Sequence, residues 1–316
     1  MSESAEQVSI AAQKERKRHS FFVSLMIRLV KEKPLGTVGG ILVVMLFGVG
    51  IFANLLAPYD PINMVMVDRL QPSSFQHFLG TDNLGRDLLS RIIFGARVSM
   101  TVGLSASALY TLVAVLLGTP AGYIGGKFDM ILQRFVDAKM CFPTMILYLS
   151  VLTLLGPGML QVILVMGIAQ GINGSRVVRG AVMGIKSNVY FDAARAIGAS
   201  NTRMIFRHVL PNVLAPIMVI TTIRMGGFII TEATLSFLGF GIPPPTPAWG
   251  GMLSGAGRQY MYLAPWMAVW PGLALALAVY GMNMLGDAMR DLMDPRLRGG
   301  IGRFGTTKSQ RVKKPA

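Results

Sequence analysis

Few residues in this 316-residue chain are arranged for chemistry. The nearest approach to a phosphate-binding loop is Gly125-Gly126-Lys127. Such a loop reads G-x-x-x-x-G-K-[ST], so that backbone N–H groups cradle the phosphates and a hydroxyl meets the metal. Here Ala121 stands in place of the first glycine and Phe128 follows the lysine. Ser254, in Met252-Leu253-Ser254-Gly255, lacks the flanking glycine of a strained nucleophile turn. His19, His77 and His208 lie far apart, there is no H-E-x-x-H, and Cys141 is the only cysteine. Neither a zinc centre nor a disulfide framework is expected from that inventory. The chain is expected to be no enzyme, and to hold no metal or cofactor.

Two polar groups remain. The first is the basic stretch Arg176–Pro211, whose centre, Tyr190–Gly198, reads as a short helix. Ala193 and Ala194, with Gly198 four or five residues on, would let another surface come close. Gly198 can also end the helix in a left-handed conformation. The residues alone leave two readings: a rigid basic knob that enters a partner's groove, or a solvated loop with incidental alanines. The second group is Arg224 and Glu232, set in an otherwise apolar run.

The elements that carry these groups follow from composition. Hydrophobic residues make up 52% of the chain and charged residues 14%, against about 25% charged in soluble domains. Charge-free runs cover Pro34–Tyr59, Val98–Gly126, Met140–Ser175, His208–Ile223 and Gln259–Gly286. About 20 apolar residues in a helix cross a hydrocarbon core of roughly 30 Å. The third run is too long for one crossing, and Gly156-Pro157-Gly158 breaks it near the middle. The expectation is an all-α integral membrane protein. Its six transmembrane helices fall at 35–57, 98–122, 135–155, 159–175, 213–238 and 264–286.

An even count puts both termini on one side, and the basic residues say which. With both ends cytoplasmic, twenty-four of the thirty Lys and Arg fall inside and five outside, with Arg224 in the membrane. That split accounts for the net charge of +15 without a nucleic-acid partner. Residues 1–34 form a cytoplasmic tail. In it, His19–Lys33 has the pattern of an amphipathic helix that lies in the lipid interface, or of a basic linker. Residues 35–288 form the transmembrane domain, with an extracytoplasmic segment at 58–97 and the cytoplasmic loop at 176–211; residues 289–316 form a second basic tail. Tyr260, Tyr262, Trp266 and Trp270 mark the outer interface before the last span.

Several blocks, in order, resemble one family. Asp192-Ala193-Ala194, three residues, Gly198, then Leu210-Pro211 are similar to the EAA loop of permease subunits of binding-protein-dependent ABC importers. Asp192 replaces the usual glutamate and His208 a usual isoleucine. Arg207-His208-Val209-Leu210-Pro211-Asn212 resembles the branch that imports dipeptides, oligopeptides and nickel. So do Leu79–Asp87 with Gly80, Thr81, Asp82, Gly85, Arg86 and Asp87, then Glu232–Gly241, Pro244–Gly250, and Gly286–Asp291 with Asp294–Leu297.

The resemblance implies the type I ABC importer permease fold in a prokaryotic inner membrane. It implies a second permease subunit, two ABC ATPase subunits beneath the pair, and an extracytoplasmic solute-binding protein. Tyr190, Asp192, Ala193, Ala194 and Gly198 would touch the ATPase, and Leu210 and Pro211 would fix how the loop re-enters the fifth span. From their depth in the membrane, and for Arg224 without any family block, Arg224 and Glu232 would line the solute pathway, hold a gate contact, or only pack. Asp82, Arg86, Asp87 and Arg91 have a spacing that could pair opposite charges along one helical face. An ion-coupled transporter acting alone is the alternative; it would need its own coupling sites and usually internal repeats, and the sequence has no clear repeat.

Overall fold

The computed structural model describes residues 21–293. The basic tails at 1–18 and 299–316, and the Asp294–Leu297 block, lie outside the described residues. Nine helices carry the argument, with shorter turns between them: α1 (Phe21–Glu32), α2 (Pro34–Ile51), α3 (Leu88–Ile124), α4 (Gly126–Met140), α5 (Thr144–Leu155), α6 (Met159–Lys186), α7 (Val189–Ala196), α8 (Leu210–Phe237) and α9 (Trp266–Met293).

Four helical stretches are long and apolar enough to cross a membrane: Pro34–Ile51, Leu88–Ile124, Pro216–Phe237 and Trp266–Met293. The pair α4 and α5 qualifies together but bends by 85° at its break. The expected continuous span 135–155 is therefore corrected. Pro143 has no N–H and pushes Phe142 out of the helical region, so the helix stops at Met140 and restarts at Thr144. The break at Gly156-Pro157-Gly158 lies where the sequence places it. Beyond it α6 runs 28 residues, with Gln161, Gln170, Asn173, Arg176 and Arg179 interleaved among its apolar positions.

The helix that holds the expected span 98–122 begins ten residues before it. Asp87 caps α3, its Oδ2 accepting from the Ser90 N–H at 2.8 Å. That satisfies one of the orphan donors of a helix start. The resulting 37-residue helix is roughly 55 Å long, well beyond one hydrocarbon thickness.

α3 is the hub, touching α2, α6 and α8. Its closest partner is α6, and glycines set that approach. Gly118 and Gly122 on α3 face Val178 and Val182, while Gly167 and Gly171 on α6 face Leu109 and Val113. A Cβ at any of these four would collide with the neighbouring helix, which is how small residues four apart bring membrane helices together. On the other flank, Gly36 and Gly39 of α2 abut Ala288, Met284 and Gly281 of α9. Gly48 and Gly227 meet nothing within 4 Å. α1 leans on the end of α9 through Leu29, Ala288 and Leu292, and Lys33 Nζ donates to Asp291 Oδ2 at 2.6 Å.

Candidate functional site

The stretch read as a loop, Arg176–Pro211, is mostly helix. α6 continues through Arg176 and Arg179 to Lys186, α7 follows after Asn188, and Asn201–Arg203 leads into a π-helical turn, Met204–Val209, that runs on into α8. Pro211 cannot donate the usual helical hydrogen bond, and it sits in the first turn of α8 directly after the π turn.

α7 ends in a Schellman arrangement. The Ala199 N–H donates to the Ala194 carbonyl at 3.1 Å and the Gly198 N–H to the Arg195 carbonyl at 2.9 Å. Gly198 has φ +82°, the left-handed conformation that glycine adopts without strain. No atom lies within 4 Å of where its side chain would start, so this end of the knob is open.

The helix divides its residues by direction. Phe191 is 1% exposed and Ala194 8%, both inside a cluster with Tyr123, Val178, Val182, Met204 and Val213. Tyr190, Asp192, Ala193, Arg195 and Gly198 are exposed. The two alanines thus part company: Ala193 faces out, and Ala194 lets the knob sit close to the bundle. Phe191, which the sequence reading did not single out, is the inner anchor, edge-on to Tyr123 with ring centroids 6.2 Å apart. Tyr123 in turn donates to Asn201 Oδ1 at 2.6 Å and lies under the Arg195 guanidinium. A helical wheel over Val189–Ala196 separates Phe191 and Ala194 from Asp192, but nothing in the sequence says which side is buried. α4 is tied beside this region: Arg179 makes two 2.6 Å bonds to Asp129, Arg176 pairs with Asp137, and Lys139 Nζ donates to Asn173 Oδ1 at 3.0 Å.

The other end of α3 is built differently. Gly80–Asp87 forms a turn, not a helix, with Thr81 bridging to Asp87. The expected opposite charges do pair, but through this turn. Asp82 Oδ1 accepts from the Leu84 and Arg86 N–H groups at 2.8 and 3.0 Å, and Oδ2 from Arg86 Nε at 2.7 Å. Arg91 Nε is 3.5 Å from the same carboxylate, and its Nη1 donates to the Pro61 carbonyl at 2.9 Å. Asp87 also meets His77 Nδ1 at 3.0 Å. Gly85 has φ +71°, and a Cβ there would strike the Val65 carbonyl. Gly80 is packed against Trp266, whose Nε1 donates to the Thr81 carbonyl at 3.1 Å. A cleft of about 740 Å³ opens beside this turn, lined by Asp82, Arg86, Arg91, Ser236, Pro245 and Met252 among others.

α8 links the two ends and carries both ionisable residues of the apolar run. Glu232 is completely buried. Its Oε1 accepts from Ser236 Oγ at 2.7 Å, and Ser236 Oγ also accepts from the Ile242 N–H at 3.2 Å. This pins the segment after α8 to the helix. Its Oε2, next to Ser99, makes no hydrogen bond among the described residues. Arg224 is exposed, beside the Tyr110 hydroxyl. The structure does not bring Arg224 and Glu232 into one cavity: one is open, the other sealed. No group of three or more His, Cys, Asp or Glu able to hold a metal occurs among the described residues.

A helical bundle with apolar spans, a charge-locked turn and an exposed knob is the architecture of an integral membrane protein, and comparison with known proteins gives its class. Residues 111–299 match the family described as binding-protein-dependent transport system inner membrane component. The glutathione transport system permease protein GsiD of Pectobacterium atrosepticum is 40% identical over 261 residues, 82% of this chain and 86% of that protein. The dipeptide transport system permease protein DppC of Alkalihalophilus pseudofirmus is 38% identical over 269 residues, 85% of this chain and 88% of that one. GsiD of Escherichia coli O6:K15:H31 is 40% identical over 273 residues, 86% and 90% of the two chains. The chain belongs to this family and is a multi-pass inner-membrane permease subunit of a binding-protein-dependent ABC importer.

Proposed function

We propose that this subunit pairs with a second, different permease chain to import a di- or oligopeptide handed over by an extracytoplasmic binding protein. The drive comes from two ABC ATPase subunits that dock on α7. The observation that carries this reading is the knob itself: Tyr190, Asp192, Ala193 and Gly198 are presented outward while Phe191 and Ala194 fix the helix to the bundle. A chain with no nucleotide loop must receive work as a push, and a short helix seated on α3 and continued into α8 can deliver one. Relatives named for dipeptide and glutathione transport support a small peptide over nickel as the solute. The 24-to-5 division of basic residues supports six crossings with both ends inside, α4 and α5 counting as one crossing and the first half of α6 as another.

The decisive experiment has two parts. Purified from its own membrane, the subunit should bring down an ATPase and a second permease, with ATP hydrolysis stimulated by peptide-loaded binding protein. In a Cys141→Ser background, Asp192→Cys should react with a membrane-impermeant maleimide only from the cytoplasmic side. Labelling from outside, or transport by the isolated chain in liposomes, would overturn the proposal.

A further inference from the structure

Where α3 and α8 pack together, Thr111 Oγ1 and Thr221 Oγ1 stand 2.6 Å apart, and Gly103 lies against Ile229. These two contacts fix an antiparallel register. One turn from Gly103 toward the Asp82 end stands Ser99, and one turn on from Ile229 stands Glu232, so the two side chains face each other across the interface. Both residues are 0% exposed. Glu232 Oε2 and Ser99 Oγ are also both buried without a hydrogen-bond partner among the described residues. Buried polar atoms are nearly always paired, so two unmet ones at a single contact call for a physical account.

No cation among the described residues pairs with this carboxyl. On α3, Arg97 donates to the Gly50 carbonyl and to Asn54, and Arg91 is held by Asp82 and the Pro61 carbonyl. On α8 itself, Arg224 lies more than two turns back, roughly 12 Å along the axis. α6 brings Arg176 and Arg179, which pair with Asp137 and Asp129. The ionisable groups of α9, Asp287, Arg290 and Asp291, lie beyond Gly286, which packs on Ile223 near the other end of α8. Residues 233–257, which follow Glu232, carry no charge. Val98, Val102, Phe228, Leu235 and Ile242 make the surrounding cluster apolar. A carboxylate here would be a charge stranded in a dry site. A neutral acid avoids that penalty and gains an O–H to donate.

The other carboxyl oxygen is already committed. Oε1 accepts from Ser236 Oγ, which in turn accepts from the Ile242 N–H. We infer that Glu232 is held as the neutral acid and that its Oε2–H donates to Ser99 Oγ, clipping α3, α8 and the segment after α8 into one body. That segment is folded back tightly. A Cβ on Gly241 would strike Ser236, and one on Gly250 would strike the Ala233 carbonyl. Trp249 Nε1 donates to the Ile92 carbonyl of α3 at 3.1 Å. Ile242, Pro243 and Pro245 from the same segment line the cleft beside the Asp82 turn. Glu232 is thus a positioning residue for one wall of that cleft. This goes beyond the proposed function and holds whatever solute is carried.

The test uses the complete importer purified from its own membrane. At neutral pH in heavy water, the infrared difference spectrum between wild type and Glu232→Gln should show the loss of a protonated carboxyl band, and Ser99→Ala should shift that band. Hydrogen exchange over 239–250 should rise about tenfold in Glu232→Ala, the scale of losing a buried hydrogen bond. It should stay within about twofold of wild type in Glu232→Gln, whose amide keeps one acceptor and one donor in place. In liposomes, dialanine uptake should follow the same order, kept by glutamine and lowered about tenfold by alanine. Loss of an ionised carboxylate band in the difference spectrum would overturn the neutral acid. A band that Ser99→Ala leaves unmoved would overturn the bond to α3, and glutamine as damaging as alanine would overturn the clip. Where Glu232→Ala assembles poorly, the infrared spectra of Glu232→Gln and Ser99→Ala carry the test. If the wild-type importer moves no dialanine, the peptide reading fails, and the infrared and exchange results still decide the clip.

Discussion

Asp82 is 4% exposed and grips two arginines, whereas Asp192, beyond the opposite end of α3, is exposed and grips none among the described residues. Around Asp82 the chain closes on itself: Thr81, Arg86, Asp87 and Arg91 are all buried, and each polar group is spent on a neighbour. Around Asp192 only Phe191 and Ala194 turn inward. A buried charge network fixes one geometry, because removing either partner strands the other in a low dielectric. An open helical surface held by a single aromatic anchor fixes a position but leaves its outward groups for another molecule. One end is locked on itself, and the other keeps its outward groups uncommitted.

That contrast can be broken in four places. Gly198→Trp has the largest expected effect: loss of uptake at normal membrane abundance, measured as labelled solute in vesicles. No atom lies within 4 Å to block the indole, but φ +82° strains any side chain there, so Gly198→Ala is the control: uptake kept with alanine and lost with tryptophan would assign the loss to the docking surface, and normal uptake with tryptophan would refute that role. Asp82→Ala should destabilise by about 3–5 kcal/mol, read from thermal unfolding of the purified complex; a loss below about 1 kcal/mol would mean the turn is not a lock. Phe191→Ala should weaken only the α7 end, by roughly 3 kcal/mol. Hydrogen exchange at 189–203 should rise while 58–97 stays protected, and faster exchange at both would erase the distinction. Arg28→Ala should change stability by less than about 0.5 kcal/mol, since its pair with Glu32 is a half-exposed i, i+4 pair. A larger shift would show that charges outside the Asp82 turn also hold the fold.

How much of this was written in the sequence varied with the physical signal. The Gly156-Pro157-Gly158 break and the Tyr190–Gly198 helix were legible because backbone chemistry marks them locally. The bend at Phe142-Pro143 was equally local but lay inside a charge-free run, and hydropathy outweighed the proline. The start of α3 was marked by Asp87 and Ser90, yet the count of apolar residues placed it ten residues later. The Asp82 pairs were visible as spacing, but spacing cannot distinguish a helical face from a turn closed by Gly85. The burial of Phe191 and Ala194, the seal around Glu232 and the openness of Arg224 depend on which neighbours arrive from distant segments, and no local pattern encodes that.

From Asn201 to Phe237 the chain is helical throughout, interrupted only by the π turn and by Pro216 inside α8. If the docking proposal holds, it would act as a lever whose base lies beside α7. Arg224 lies roughly 35 Å along it, so a tilt of only about 5° at the base sweeps that level sideways by about 3 Å, close to the width of a water molecule.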